Sequence, residues 1–329
     1  MGQNINGRHQ SSRRQSSERP LMSRTDHASL QILKAIGSYS CRLTWEKRTA
    51  LGRRIGRLMK VDRKRLRITR TNVHNAFPDR SEHARQEIVD GAYENLGITL
   101  AELLAVPSLT QETLLDRMRI PNIEWVRERR QRGEASILLS GHFGNWEFLA
   151  MAAGVEIGGP VTIVAHPQKN AVVDRELNDY RMRFGNVIVP MHDAARALIK
   201  ALTEGGTVAF LVDQHAHPER DPWIEFFGRQ TPTYEAPAAL ALRFGVPIYH
   251  AFAVREADGR YTAPLAKLDM EGLGKDKAST IELTRRHVHV LEQAIIRHPH
   301  LWSWQHRRWR HDPPHTTHDG NRYDEATRR

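Results

Sequence analysis

Two hydrophobic periods alternate along this chain, and the switches between them mark its elements. Short apolar runs at 137–140, 161–165, 187–190, 207–213 and 247–255 are bounded by Gly, Pro or Asp. They predict strands buried on both faces, because such strands read as continuous apolar stretches. Between them, apolar residues recur at helical spacing near 171–184, 193–203 and 235–244. Strands that alternate with helices predict an α/β sheet with helices on its faces. Residues 261–270 predict one more strand, antiparallel at an edge. Upstream, Asp79 and Glu82 suggest a capping box opening a helix to about Leu104, with Ile88, Val89, Ala92, Leu96, Leu100 and Leu103 on its apolar side. A second helix is expected near 110–132, and a long one near 279–297. The expected fold class is therefore α/β: a single domain with a central mixed, largely parallel sheet flanked by helices, preceded by N-terminal amphipathic helices. No internal repeat is visible.

The stretch 136–150, SILLSGHFGNWEFLA, joins a buried strand to a new helix through a tight turn. Asn145 suits the N-cap position and leaves Trp146 and Glu147 in the first helical turn. His142 then falls just past the carboxyl end of the strand, where open α/β sheets bind ligands. His142 and Glu147 are five apart, which on a continuous helix separates them by about 140°. They meet only if the chain bends between them, and Gly144 permits that bend. A carboxylate turned back on the imidazole would hold its tautomer and make His142 a general base for a hydroxyl; the alternative is a structural histidine near a helix start.

Charge changes the picture at the N-terminus. Of the net +11 for 329 residues, residues 1–70 carry 18 Lys and Arg against four Asp and Glu, so the remainder sums to −3. Residues 1–26 are rich in Arg, Ser and Gln and poor in large apolar side chains, and predict a disordered basic tail. From 27 to 70, Leu30, Leu33, Ile36, Leu43, Leu51, Ile55, Leu58 and Met59 predict basic amphipathic helices. These fit an anionic membrane surface, with Tyr39 and Trp45 available as anchors, or equally a cap on the core. Residues 27–311 form the predicted domain, and 312–329 a second disordered tail. No run of about 18 apolar residues occurs and mean hydropathy is −0.57, so no spanning helix or secretory signal is expected. Cys41, the only cysteine, excludes an internal disulfide and a cysteine-built metal site.

Residues 141–147, GHFGNWE, resemble the His-x4-Asp/Glu motif of the lysophospholipid acyltransferase superfamily, within it the branch of lipid A lauroyl and myristoyl acyltransferases. The resemblance continues in order through NVHNAFPD (72–79), NLGITLAELL (95–104), ALTEGGTVAFLVDQ (201–214), FFGRQTPT (226–233), LALRFGVPIYHAFAVR (240–255) and HPHLWSWQHRRWR (298–310), and covers roughly residues 50–310.

That resemblance implies acyl transfer from a thioester of acyl carrier protein or coenzyme A to a hydroxyl of a membrane lipid on the cytoplasmic face of a bacterial inner membrane; the family often carries a spanning or anchoring segment at the N-terminus, and because this region is too polar to span, attachment is expected to be peripheral. It implies no cofactor, metal or nucleic acid. His142 would be the base and Glu147 its partner, with Asn145 among the substrate-binding residues. Asp213, with Gln214, is carried over at the end of 207–213, to orient an acceptor headgroup or an arginine; a turn Asp is the plainer reading. Arg181 or Arg183 is expected to stabilise an oxyanion. In FFGRQTPT, Phe226 and Phe227 would wall a channel and Arg229 would bring a charge; Arg255, and Trp304, His306, Arg308 and Trp309, also match. Where the branch usually has Arg before Pro, this chain has His166 before Pro167, which puts an anion-gripping role there in doubt.

Two readings from other classes compete. DQHAH suggests a metal-dependent hydrolase that uses His142, Glu147, Asp213, His215 and His217 as hard ligands. The basic N-terminus suggests nucleic acid, but aromatic interleaving is sparse there and no reader motif occurs.

Overall fold

The computed structural model describes residues 24–168 and 170–312. Most of the two predicted disordered tails, 1–23 and 313–329, lies outside the described residues. The N-terminal boundary moves, because residues 24–26 already belong to a helix. Three helices lead the described chain: α1 (Arg24–Cys41), α2 (Trp45–Met59) and α3 (Arg63–Ala76). Thr44 and Asp62 cap the second and third, each accepting from a backbone N–H three residues on.

Next comes α4 (Glu82–Leu103), whose N-cap is Ser81, accepting from the N–H of Ala84. The expected Asp79–Glu82 box is therefore replaced by a cap one residue before Glu82. The single helix expected over 110–132 is instead α5 (Gln111–Arg117), β1 (Met118–Arg119) and α6 (Glu124–Gln131). Pro121 removes a donor and biases Ile120 away from helix, and Asn122 takes a left-handed φ of 71°, so the helix cannot run through.

The central segment follows the predicted alternation. It runs β2 (Ser136–Ser140), α7 (Trp146–Ile157), β3 (Val161–Ala165), α8 (Ala171–Met182), β4 (Val187–Pro190), α9 (Ala194–Thr203) and β5 (Thr207–Leu211). A hairpin of β6 (Trp223–Phe226) and β7 (Arg229–Pro232) precedes α10 (Ala236–Phe244). The expected strand 247–255 divides into β8 (Ile248–His250) and β9 (Val254–Arg255), and 261–270 into β10 (Tyr261–Thr262) and β11 (Ala266–Lys267), before α11 (Lys277–Arg297).

The main sheet has the order β11-β8-β2-β5-β3-β4, parallel except for β11, which pairs antiparallel with β8 at the edge. β9 and β10 leave it for a small sheet with β1. Both faces of the main sheet are covered, as the apolar runs require. Ile137 and Leu139 pack with Leu198 of α9, Leu242 of α10 and Leu283 of α11. Leu138 points the other way, toward Phe148 and Met151 of α7.

α2 docks on α4 by glycine. A Cβ on Gly52, Gly56 or Gly97 would fall on backbone atoms of the facing helix, so the two helices touch almost without side chains between them. Of the two candidate anchors, Trp45 is half-buried: it meets the Phe148 ring edge-on, and the guanidiniums of Arg48 and Arg117 lie over its ring, 4.2 and 4.1 Å from its centre. Tyr39, Leu58 and Val61 remain exposed. No helix among the described residues is long and apolar enough to cross a membrane.

Because the atoms facing Gly97 are backbone of Gly52 and Gly56, Gly97→Ala should overpack the contact. We expect a loss of about 1–3 kcal/mol, outweighing the helix-propensity gain of about 1 kcal/mol, read as a lower urea midpoint. Arg54→Ala, on the exposed side of α2, should stay within about 0.5 kcal/mol.

Candidate active site

Strand register builds the site. β2 and β5 are parallel neighbours with Ser140 opposite Leu211, so His142 and Asp213 each lie two residues beyond paired strand ends. The Nδ1 of His142 is 2.8 Å from Oδ1 of Asp213, and the His142 backbone N–H donates to Oδ2 at 2.7 Å. The indole of Trp302 donates to the same Oδ2 at 2.8 Å. Burial alone would push the Asp213 carboxyl up, but the charge and hydrogen bonds of His142 and the Trp302 donor hold it down at about 2. Burial lowers the pKa of His142; the Asp213 charge, its hydrogen bond and the charge of Glu147 outweigh that and raise it above 6.5. The Asp213 carboxylate is 3% exposed and the imidazole 24%, so the acid is sealed and the base reaches the cleft.

Glu147 does not take the predicted place at the imidazole. Its carboxylate accepts from Arg181 Nε at 2.9 Å and Nη2 at 2.7 Å, and from the Trp146 indole at 3.2 Å. In the first turn of α7, Glu147 meets Arg181 of α8, whose two-pronged guanidinium matches a carboxylate better than one ring nitrogen does. The geometry thus gives the tautomer-setting contact to Asp213 and leaves Glu147 in an ion pair whose field still acts on His142.

The bend between them is locked from below by α4. Gly144 has φ +58°, and a side chain there would strike the carbonyl of Ala253. Its carbonyl accepts from Asn95 and Thr99, at 3.1 and 2.9 Å. Asn145 is the expected N-cap, accepting from Phe148 N at 2.9 Å. Its amide also donates to Glu102 at 2.8 Å and the residue is fully buried, so it builds the turn and does not present itself to substrate. Glu102, with no exposed surface, also accepts from Tyr261 at 2.7 Å. Asn95, Thr99 and Glu102 lie on one helical face, at i, i+4 and i+7. Three polar groups on one stripe of the apolar run NLGITLAELL were the available signal for them.

The other candidates divide. The Gln214 side-chain nitrogen is 3.3 Å from Nε2 of His142. Arg183 reaches the carbonyl of Leu109 at 3.5 Å, and Arg255 bonds Thr49 of α2 at 2.9 Å and approaches Glu102 beneath the turn. Arg229 opens β7 just after the hairpin turn, exposed. Phe226 is buried against Trp302 and Trp309 and Phe227 meets Phe77 and Trp304, so these rings form a packed aromatic cluster where a channel wall was expected. Thr233 accepts from the buried Arg308 at 2.7 Å. His166 is exposed after β3, with Nδ1 3.2 Å from the Pro167 carbonyl.

The ligand set read from DQHAH does not assemble. Nε2 of His306 accepts from the backbone N–H of His215 at 3.1 Å and lies 2.8 Å from its Nδ1, with the rings stacked. The His217 imidazole accepts from the Glu219 backbone N–H through Nδ1 at 3.3 Å, and the His217 backbone N–H donates to Asp221 at 2.9 Å. Among the described residues, no three His, Cys, Asp or Glu side chains gather as a metal site.

Against known proteins, the family described as bacterial lipid A biosynthesis acyltransferase matches over residues 27–311. The chain is 26% identical over 254 residues to lipid A biosynthesis acyltransferase 1 of Shigella flexneri, covering 77% of each. It is 30% identical over 190 residues to the lipid A biosynthesis myristoyltransferase of Escherichia coli K12, 58% of each chain. With the lauroyltransferase of the same strain it shares 23% over 266 residues, 80% of this chain and 85% of the relative.

If Asp213 sets the protonation of His142, Asp213→Asn removes the largest upward influence and leaves burial dominant. The His142 titration followed by NMR should then move from above 6.5 to below it, with the fold retained. A midpoint that stays in place would assign the shift to Glu147.

Proposed function

This chain belongs to the bacterial lipid A biosynthesis acyltransferase family, and from that premise we propose that it moves a fatty acyl group from a thioester to a hydroxyl of a lipid A precursor, with His142 as general base. It is an O-acyltransferase. The observation that carries the assignment of the base is the Asp213–His142 contact at 2.8 Å. A carboxylate on Nδ1 fixes the tautomer that leaves the Nε2 lone pair toward the cleft and stabilises the imidazolium formed on proton transfer.

In the reaction, the acceptor hydroxyl oxygen bonds to the thioester carbonyl carbon while its proton passes to Nε2 of His142. The carbonyl π pair moves onto oxygen. When that oxyanion collapses the C–S bond breaks, and the proton on His142 goes to the leaving thiolate, giving ester and free thiol. Nothing in this sequence calls for a covalent acyl-enzyme or a metal. Cys41, on α1, bonds weakly toward the carbonyls of Leu104 and Ala105 and lies outside the site. The donor is read as acyl carrier protein or coenzyme A thioester, and the setting as the cytoplasmic face of an inner membrane, bound peripherally. The exposed Leu58 and Val61 beside the basic residues of α2 and α3 support a membrane-facing N-terminal surface.

Transfer from a lauroyl thioester to an under-acylated lipid A precursor should fall about 10²- to 10⁴-fold in His142→Ala, the range for losing a general base. Unchanged turnover in the folded variant would end this mechanism. Exhaustive chelation should leave activity intact; loss restored by zinc or manganese would argue for the hydrolase instead.

For the membrane surface, Arg53→Gln, Arg54→Gln and Arg57→Gln together should weaken co-sedimentation with anionic vesicles, and high salt should do the same to the wild type. Arg53 and Arg57 also pair with Glu94, at 3.6 and 3.2 Å, but exposed pairs contribute at most about 1 kcal/mol, so the fold should hold. Equal sedimentation of both proteins at every salt concentration would assign these residues to the surface alone.

A further inference from the structure

An acyl transfer of this kind develops negative charge on the carbonyl oxygen, and a preorganised donor there is among the largest contributions an enzyme makes. The two arginines that the sequence offered for it are engaged elsewhere. Arg181 gives Nε and Nη2 to Glu147 and Nη1 to Asn178 at 2.9 Å, while Arg183 points to the Leu109 carbonyl.

One donor does stand at the reacting position. With Nδ1–H of His142 committed to Asp213, Nε2 carries the lone pair, so the Gln214 group 3.3 Å away faces it with its NH2. In the resting enzyme that amide occupies the place the attacking hydroxyl must take. Its backbone is fixed on both sides. Asp213 is held by three donors, and the Gln214 carbonyl accepts from Arg308 Nη1 at 3.3 Å. Arg308 is itself 1% exposed and anchored to the Pro232 carbonyl at 2.8 Å and Thr233 at 2.7 Å. The Gln214 side chain, by contrast, is exposed at the cleft. It can leave Nε2 by side-chain rotation alone while staying within reach of the same tetrahedral centre.

We propose that Gln214 is a catalytic residue: its amide covers the base in the free enzyme, and when the acceptor hydroxyl takes that place it donates to the thioester oxyanion. This rests on the acyl-transfer reading above. The groups facing His142 are Asp213 beyond β5, Glu147 from α7, Arg181 from α8 and His306 from the C-terminal segment, and Gln214→Met leaves all of these charges in place, whereas Gln214→Glu adds a carboxylate beside Nε2.

The test compares wild type, Gln214→Met, Gln214→Glu and His142→Ala as full chains, with lauroyl thioester donors and an under-acylated lipid A precursor. Met has similar volume and no donor, and an ionised Glu has no donor either. Both should lower kcat about 10²- to 10³-fold with little change in KM, as when an oxyanion donor is removed. The amide bond to Nε2 favours neutral imidazole, so its loss should also move the acid limb of kcat/KM to higher pH in Gln214→Met.

If kcat of Gln214→Met equals or exceeds wild type at the pH plateau, Gln214 only covers the base and the proposal fails. It also fails if the variant's NMR spectrum has lost the Nδ1–H signal of the His142–Asp213 bond, because the defect then lies in that pair. Survival of transfer in His142→Ala would overturn the acyl-transfer mechanism itself, an outcome separate from either result at position 214.

Discussion

The buried charge of Asp213 is the constraint on which the site depends. A carboxylate with 3% exposure would carry a desolvation cost of several kcal/mol unless donors met it. Three do: the backbone and imidazole of His142 and the indole of Trp302. They come from two consequences of the fold. The in-register pairing of β2 with β5 delivers His142, and the C-terminal segment delivers Trp302, which bridges Phe143 and donates from beneath. Removing any one of them leaves an acid underpartnered in a dry place. The same charge that makes His142 more basic therefore also helps hold the C-terminal segment to the sheet.

A second layer of support comes from α4, and it links the turn to the N-terminal helices. The Asn95, Thr99 and Glu102 stripe holds Gly144 and Asn145, while α2 lies against the same helix through Gly52, Gly56 and Gly97. Arg255 connects Thr49 of α2 with Glu102, whose carboxylate touches Asn145. Burial is the largest influence on Glu102 and raises its pKa, opposed by Arg255 and by the Tyr261 and Asn145 donors. The helix that the exposed basic residues share is thus linked to the cap of α7 through two side chains, Arg255 and Glu102.

Much of this was legible from the chain alone, and the parts that were not have a common cause. Local signals carried well: the N-cap at Asn145, the bend at Gly144, the alternation of strands with helices, and the strand-end placement of both His142 and Asp213. Which carboxylate meets the imidazole was not local. Glu147 is five residues from His142 and Asp213 is 71, and only the strand order β2-β5 decides between them. The break at Ile120–Asn122 was carried by Pro121 but masked by helix-forming residues on both sides. Phe226 and Phe227 read as channel wall because sequence shows apolarity without showing what covers it; Trp302, Trp304 and Trp309 supply the cover from about 80 residues away.

The two acids at the mouth of the sheet divide the electrostatic work by partner. Asp213 meets a titratable base and is nearly sealed, so its effect goes into the protonation of His142. Glu147 meets Arg181, which is always charged, so that pair is net neutral and contributes to His142 only the difference between the larger raising effect of the carboxylate and the smaller lowering effect of the guanidinium. An arginine beside Asp213 as well would offset that charge at the imidazole and give burial, which lowers the His142 pKa, more weight. Pairing the permanent cation with Glu147 keeps Asp213 available to His142. It also ties α7 to α8, so the same arrangement that leaves Asp213 to the base joins the two helices that follow β2 and β3.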